Sequence, residues 1–521
     1  MQQFIQKHRA VVTGWLSGFD RLVLRGTLRQ LCHVQGMMTY LSLAKMLLKD
    51  FGQHAEAMSR VLKEASLAVV LAAGRPVQYL ESSRVRKELV AKKIMQRDSI
   101  DRGPICTLTC VEPCTSLQIY KNRDTQRLEL RPRIRKCLHL YHYFIHPVFG
   151  FMHARIQTWF PFSIQICLNG REWLARQMDH ASLGYERKDN AFVWLEDAGR
   201  AQQLMQEQVE ANWPLLLDPI ATRLNPAHRE MFGDFSAAYY WSVHQSEWAT
   251  DIMFESPSAL NRIYPQLVQH GIRTFGSPDI MRFLGRHVPS HGHVHRAFAG
   301  EVVSDLRDRP EGVRIKHRID KNSVKLYDKH GRVLRAECTL NDTRPFLVYR
   351  KPEGKPEEKP RWLPLRKGIA DIQRRAELSH KVTERYLDAH ASVSCAEPLG
   401  KLTEPLCQPT QYCGQRVRGL NPLRKDDLDL LAKISAAEFC IHGLRNKDLR
   451  QRLFGPCADK DLDRRQSAAV TRKLRLLRAH GLIQKVPKSH RYLVTLKGRT
   501  AITALLAARD ASTEKLTQMA A

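Results

Sequence analysis

The fold of the C-terminal region is decided by residues 464–495, which read RRQSAAVTRKLRLLRAHGLIQKVPKSHRYLVT. Apolar residues recur there at helical spacing and predict a helix from about residue 464 to residue 480, ending at the C-terminal glycine signal Gly481. The predicted buried stripe of this helix consists of Val470, Leu474 and Leu477. Two short alternating runs follow, separated by a turn at residues 487–490, and predict a β-hairpin.

Further helices are predicted on both sides of this stretch. A first helix is indicated by the spacing of Leu428, Leu431 and Ile434. A second helix is expected over residues 447–453, capped by Asn446 after a turn at Gly443, and a closing helix over residues 500–509. Residues 421–509 contain 20 Lys and Arg against 8 Asp and Glu, so this region attracts polyanions.

This order of helices and hairpin resembles the winged-helix family of bacterial DNA-binding proteins, above all where Arg478-Ala479-His480-Gly481-Leu482-Ile483 leads into the hairpin. The resemblance covers residues 423–510, about a sixth of the chain. It implies that the third helix reads the major groove and that the hairpin, or wing, reaches the adjacent backbone. The DNA-binding residues would be Arg464, Arg465, Arg472, Arg475, Lys488 and Arg491. The alternative is a winged helix used for protein contacts.

The composition of the whole chain also favours a nucleic-acid partner. Its 521 residues carry 83 Lys and Arg against 53 Asp and Glu, a net charge of +30, and 43% are hydrophobic, so several globular domains are expected. The competing partner is an anionic membrane surface, but no apolar run reaches the ~20 residues that span a bilayer. The N-terminus lacks a secretory signal, and the 12 Cys include no CxxC pair, so we expect a cytoplasmic protein with reduced thiols.

The remainder of the chain predicts a multidomain α+β protein whose N-terminal body contains an antiparallel sheet. Residues 1–200 are predicted to form an α+β domain, and residues 201–392 a helical segment followed by an antiparallel meander. Residues 393–422, rich in Pro and Gly, are interpreted as a linker to the winged helix at 423–510. The meander is expected from four alternating runs, 313–317, 323–327, 333–340 and 346–349, with apolar and charged residues on opposite faces.

Two clusters in the body have both a functional and a packing interpretation. Residues 138–162 combine many aromatic residues with four histidines, which suits a metal site or a base-stacking platform, although packing of buried histidines is favoured. Cys106, Cys110 and Cys114 are four residues apart on a predicted strand. Such positions share one face, so packing is favoured over a metal cluster there too.

The meander carries the first candidate for catalysis. Tyr327-Asp328-Lys329 followed by Arg335-Ala336-Glu337 resembles a pattern in replication initiators of filamentous phages and rolling-circle plasmids. In that family a Tyr attacks a DNA phosphate while carboxylates hold a divalent metal. The resemblance implies Tyr327 as nucleophile or substrate contact, Glu337 as metal ligand and Lys329 as the cation. The alternative is a strand with an exposed ion pair.

Two other constellations concern a metal, Mg²⁺ or Mn²⁺. His293-Val294-His295 lies upstream of Tyr327, as the paired histidines do in mechanistically related nickases, which implies His293 and His295 as metal ligands. Asp20 on an early strand, with Glu112 or Glu337 later, resembles the carboxylates of transposases with a ribonuclease-H-like core. Such carboxylates bind two metal ions.

Together these patterns predict a DNA-binding protein of a mobile genetic element, a transposase or a replication initiator. It would be a metal-dependent nuclease that cleaves or transfers DNA strands, with double-stranded DNA as its partner; a homo-oligomer is compatible with the sequence. The alternatives are a non-enzymatic transcriptional regulator and an RNA-binding protein that uses the aromatic, basic body. No P-loop, GxGxxG or HExxH motif is present to decide between them.

Overall fold

The computed structural model combines helices with a large mixed sheet and several small antiparallel sheets, an α+β architecture as predicted. It describes residues 1–233, 235–286, 300–309, 312–352, 354–355, 357–391, 399–422, 424–435, 439, 443–487 and 489–510. None of the helices in this part of the chain has both the length and the apolar character that crossing a bilayer requires.

Helices and strands are interspersed along the chain. The helices are α1 (Gln2–Lys7), α2 (Val34–Leu43), α3 (Phe51–Ala72), α4 (Lys87–Arg97), α5 (Gly170–His180), α6 (Ala198–Glu210), α7 (Trp213–Leu224), α8 (His228–Phe232), α9 (Pro257–Thr274), α10 (Ser277–Phe283), α11 (Ile372–His390), α12 (Leu399–Cys407), α13 (Lys425–Ile434), α14 (Asn446–Phe454), α15 (Lys460–Ala479) and α16 (Leu496–Asp510). The strands are β1 (Val12–Leu28), β2 (Val77–Tyr79), β3 (Gly103–Lys121), β4 (Leu128–His146), β5 (Gly150–Gln157), β6 (Ile164–Asn169), β7 (Tyr185–Lys188), β8 (Ala191–Leu195), β9 (Tyr239–Phe254), β10 (Val302–Arg309), β11 (Gly312–Ile319), β12 (Asn322–Lys329), β13 (Val333–Leu340), β14 (Leu347–Arg350), β15 (Arg361–Pro364), β16 (Thr410–Tyr412), β17 (Gln415–Val417), β18 (Ile483–Lys485) and β19 (Tyr492–Val494).

The chain divides into two compact units that do not follow the order of the sequence. Unit A comprises Leu16–Ala249 and Thr339–Ser379. Unit B comprises Met1–Trp15, Thr250–Cys338 and His380–Ala521.

In unit A the strand order is β9-β1-β6-β5-β4-β3-β2. Strands β3 to β6 form a four-stranded antiparallel meander, and β1 pairs with the last of them, so that Arg21 lies opposite Asn169. Helix α5 begins directly after β6 and packs closely on β1. A Cβ on Gly170 would lie 1.8 Å from the carbonyl oxygen of Phe19, so this close approach requires glycine beside Asp20.

Packing explains the aromatic and cysteine clusters of unit A, as the sequence favoured. His142 is buried and its two ring nitrogens are within hydrogen-bond distance of the hydroxyls of Ser66 and Thr107. Burial lowers the pKa of His142 to about 4, so the ring is neutral in the folded chain. The buried cysteines on β3 are Cys106, Cys110 and Cys114.

In unit B the strand order is β10-β11-β12-β13-β9. Strands β10 to β13 form a four-stranded meander, and β9, which comes earlier in the chain, lies beside its last strand, as β1 does in unit A. One face of this sheet is apolar, with Ile315, Val324 and Leu326 fully buried, while the opposite face carries charged residues, as predicted. The fourth predicted run, 346–349, was placed wrongly in the meander. It forms β14, which pairs with β15 in a separate two-stranded sheet, and the fourth meander strand is β10 instead.

The C-terminal part of unit B has a hydrophobic core of its own. This core includes Leu430, Leu474, Leu477, Leu482 and Ile502. Along the chain the order is α13, a bridge residue Leu444, α14, α15, the β18–β19 hairpin and α16, and Leu444 pairs with Tyr492 of β19.

Two details of this region differ from the prediction. Asn446 does not cap α14, because the cap position is Arg445 and the Asn446 side chain donates to Ser467 and Thr471 of α15. The segment interpreted as a linker contains helix α12 and the β16–β17 hairpin, and its Leu406 and Leu420 belong to the C-terminal core.

Candidate functional site

Three acidic side chains of the described residues are candidate metal ligands: Asp20 and Glu247 in unit A, and Glu337 in unit B. Asp20 and Glu247 lie on β1 and β9, which are neighbours in the sheet of unit A. A carboxylate oxygen of Asp20 lies within 4.8 Å of one of Glu247. We call these two residues the carboxylate pair.

Neighbouring amide groups orient both members of the carboxylate pair. The Nδ2 group of Asn190 donates to both carboxylate oxygens of Asp20, at 2.9 Å each. Nε2 of Gln245 donates to Oε1 of Glu247 at 2.9 Å. Asp20 is only 5% exposed, so it is held in a defined position with little water around it. Fixed second neighbours of this kind are typical of ligating carboxylates.

The chemistry of the carboxylate pair suits a hard divalent cation. Both side chains offer carboxylate oxygens to the same small space, where one cation can be bound by both. Carboxylate oxygens are the ligands that Mg²⁺ and Mn²⁺ prefer, whereas zinc sites are usually built from sulfur and nitrogen. The donor atoms of Asp20 and Glu247 therefore fit magnesium or manganese.

In unit B, Glu337 is the centre of a buried polar group. Lys325 Nζ lies 2.5 Å from Glu337 Oε1, and the Tyr327 hydroxyl donates to Oε2 at 2.6 Å. Burial alone would raise the pKa of Glu337, but the charge of Lys325 and the hydrogen bonds from Lys325 and Tyr327 outweigh it and lower the pKa. Glu337 is therefore an ionised carboxylate at neutral pH, and its ion pair is buried rather than exposed as the alternative interpretation had it.

The cation that pairs with Glu337 is Lys325. Lys329, which the sequence pattern named as the cation for the reacting phosphate, lies two residues beyond Tyr327 on the same strand. Lys325, Tyr327 and Lys329 are two residues apart on β12 and therefore share one face. That alternation was the signal by which Lys325 could have been found.

The remaining candidates are placed as follows. His293 and His295 lie outside the described residues. Glu112 is engaged by Lys87 at 3.0 Å, by Arg155 at 3.2 Å and by the hydroxyl of Tyr141 at 2.7 Å. These contacts give Glu112 a structural role in unit A.

A second buried ion pair of unit B joins β9 and β13. Arg335 Nε donates to Asp251 Oδ1 at 2.6 Å, and Nη2 donates to Oδ2 at 2.8 Å. The two side chains are 0% and 1% exposed. This bidentate geometry satisfies both carboxylate oxygens and fixes two adjacent strands of the sheet.

The predicted DNA-binding arginines lie along one helix and the adjacent hairpin. On α15, Val470, Leu474 and Leu477 are buried as predicted. Arg464, Arg465 and Arg472 are exposed, while Arg475 and Arg491 are half-buried. Lys488 lies outside the described residues.

Comparisons with models of known protein families, with curated proteins and with solved structures find no match to this chain.

Proposed function

We propose that this chain is a metal-dependent protein that cleaves or transfers DNA strands, as the transposase or replication initiator of a mobile element does. The observation that carries the proposal is the carboxylate pair, in which Asp20 and Glu247 approach within 4.8 Å and are each oriented by an amide. The net charge of +30 supports a polyanionic substrate.

In this proposal Asp20 and Glu247 hold Mg²⁺ or Mn²⁺. When bound, such a cation supplies Lewis acidity at a phosphate and favours deprotonation of the attacking group. The protein groups contribute position: Asn190 fixes Asp20 and Gln245 fixes Glu247, and the burial of Asp20 strengthens its interaction with a cation. Tyr327 remains the proposed nucleophile or substrate contact.

We expect D20N and E247Q each to lose Mn²⁺ binding and Mg²⁺-dependent nicking of supercoiled DNA. N190A removes the amide that orients Asp20 but leaves both carboxylates in place. It should therefore weaken metal affinity by roughly 10- to 100-fold, a smaller effect than that of D20N or E247Q. Isothermal titration with Mn²⁺ and agarose-gel nicking assays measure both effects. E56Q, which alters an exposed carboxylate on α3, is the matched control.

Two further variants belong in the same assays because the sequence named their residues. E337Q removes a carboxylate that the sequence pattern named as a metal ligand, so it should weaken Mn²⁺ binding by the chain, and Y327F should abolish any covalent protein–DNA adduct trapped by detergent. Unchanged Mn²⁺ affinity and nicking in both D20N and E247Q would exclude the carboxylate pair as the metal centre. Salt-sensitive duplex binding with no cleavage at any metal would favour the transcriptional regulator.

We further propose that residues 423–510 form a winged-helix domain that anchors the protein on duplex DNA. Support comes from the element order, from the separate hydrophobic core, and from Leu444, a single bridge residue that pairs with Tyr492 at the edge of the hairpin. Helix α15 would enter the major groove with its arginines towards the bases and phosphates.

The double variant R472Q/R475Q should lose roughly 10-fold or more in specific duplex affinity, since one base contact contributes about 1–3 kcal/mol. Fluorescence anisotropy with a labelled duplex measures the change. K497Q, at an exposed lysine of α16, is the control for loss of charge. If R472Q/R475Q and K497Q bind duplex equally well, α15 is not the recognition helix. Binding that persists after deletion of residues 421–521 and prefers RNA would favour the RNA-binding alternative.

A further inference from the structure

The β3–β4 hairpin of unit A is unusually long. Each strand has 19 residues, and pairing continues without interruption from Cys106 opposite Tyr143 to Lys121 opposite Leu128. Every residue from 131 to 136, RPRIRK, is exposed, although successive residues of a strand point to opposite faces. Both faces of this part of β4 are therefore open. We call residues 114–136 the hairpin arm.

The hairpin arm is strongly basic. Residues 121–136 contain seven Lys and Arg against two acidic residues, a net charge of +5 in 16 residues. All seven basic residues are exposed. Such a concentration of cations on a two-stranded ribbon attracts a polyanion.

Three arginines of the hairpin arm are held in order on one face. The guanidinium carbon of Arg131 lies 3.0 Å from the ring centroid of Tyr120, and that of Arg135 lies 3.8 Å from the ring centroid of Trp159. Arg133 Nη1 donates to Oε1 of Gln118 at 2.7 Å. In the described part of the chain none of the three forms an ion pair with a carboxylate. They are thus positioned by stacking and hydrogen bonding, and Glu129, an acidic residue beside Arg131, acts electrostatically on this row.

The spacing of these arginines matches duplex DNA. Positions two residues apart on a strand are separated by about 6.7 Å. Successive phosphates of one DNA strand advance 3.4 Å along the helix axis while they rotate around it, so neighbouring phosphates lie roughly 7 Å apart through space. The major groove of B-form DNA admits a two-stranded ribbon, whereas the major groove of A-form RNA is too deep and narrow. On the opposite face Ile134 is 73% exposed and can contact thymine methyl groups or sugars.

We propose that the hairpin arm docks in a groove of duplex DNA, with Arg131, Arg133 and Arg135 each neutralising one phosphate. This inference rests on the proposed function in that it names a second DNA contact for the same protein. It assigns DNA binding to unit A, separately from the C-terminal domain.

The test is the triple variant R131Q/R133Q/R135Q in the full-length chain. Its matched control is K45Q/K49Q/R60Q, which removes three exposed cations elsewhere in unit A. Duplex affinity is measured by anisotropy between 50 and 200 mM salt. Loss of three phosphate contacts should reduce the slope of log K against log salt by about 2.7, so the affinity lost over this range shrinks roughly 40-fold.

Several outcomes decide the inference. A slope equal to that of the control variant would overturn it, and so would the same change of slope on an RNA duplex, because the arm would then not read a B-form groove. R131K/R133K/R135K keeps the charges but loses planar stacking, so it should recover most of the slope if phosphate contact is the role. Circular dichroism confirms folding of each variant. Mn²⁺ binding tests the carboxylate pair and the salt slope tests the hairpin arm, so the two hypotheses can fail independently. We expect R131Q/R133Q/R135Q to bind Mn²⁺ as the wild type does.

Discussion

D251N should destabilise unit B by about 3–5 kcal/mol, because it leaves the guanidinium of Arg335 buried without its counter-charge. Arg335 and Asp251 are 0% and 1% exposed and form two hydrogen bonds of 2.6 and 2.8 Å. In water a lost ion pair is replaced by hydration, but no solvent reaches the charge that remains in this sheet. The loss of folding free energy in D251N therefore comes mainly from leaving the charge of Arg335 buried, and less from losing its attraction to Asp251.

Urea denaturation followed by circular dichroism measures this effect as a lower midpoint with an unchanged slope. The matched control is E88Q, which breaks the exposed pair of Glu88 with Lys92 and should change stability by less than about 1 kcal/mol. D251L/R335M replaces both charges with apolar groups and should recover much of the loss. A D251N variant as stable as E88Q would contradict this expectation.

The second large effect expected is a loss of stability in mild acid, caused by histidines that are buried in the neutral form. Burial lowers the pKa of His270 and of His317 to about 4, and it lowers the pKa of His390 well below its usual value. The three rings surround one aromatic core: the His390 ring centroid lies 4.8 Å from that of Tyr386 and 5.6 Å from that of His270.

The direction of the pH dependence follows from where protons bind. An unfolded histidine has a pKa near 6.5, so between pH 6.5 and 4 the unfolded chain binds protons that the folded chain excludes. The contribution of His270 and His317 to stability is complete above pH 6.5 and decreases as the pH falls towards 4. Each group changes the free energy of unfolding by about 1.4 kcal/mol per pH unit in this range.

Thermal unfolding at a series of pH values tests this expectation. H317Q should reduce the acid sensitivity relative to wild type by about 1.4 kcal/mol per pH unit, because one proton-excluding site is gone. H33Q, at an exposed histidine, is the control. Identical pH profiles for H317Q and wild type would show that His317 does not contribute to acid unfolding.

Local periodicity predicted much of the C-terminal domain. The stripe of Val470, Leu474 and Leu477 and the glycine after the helix are properties of neighbouring residues, and the structure confirms both the burial and the end of α15 near Gly481. Asn446 was assigned a cap because its position before a helix suggested one. Its side chain instead donates to α15, a contact that depends on tertiary packing and leaves no local pattern.

Only one member of the carboxylate pair could be predicted from the sequence. Asp20 could be singled out as an acidic residue within an apolar strand, whereas no motif or periodicity marks Glu247. The two residues are more than 200 positions apart and meet only because β9 lies beside β1 in the sheet. In the meander, by contrast, Tyr327 and Glu337 lie on successive strands, so their relation was visible from alternation.

The pairing of β1 with β6 and β9 determines when β1 can fold during synthesis of the chain. Strand β1 leaves the ribosome before its neighbours, because Asn169, which pairs with Arg21, is translated later and Glu247 later still. At synthesis rates of about 5–20 residues per second, roughly 10–45 s pass between the translation of Asp20 and that of Glu247. Until residue 169 is translated β1 has neither neighbour, and until residue 247 it still lacks β9, so it is an apolar strand of the kind that chaperones retain. A nascent chain interrupted before residue 247 therefore cannot assemble the carboxylate pair, and any metal-dependent activity begins only after that point in translation.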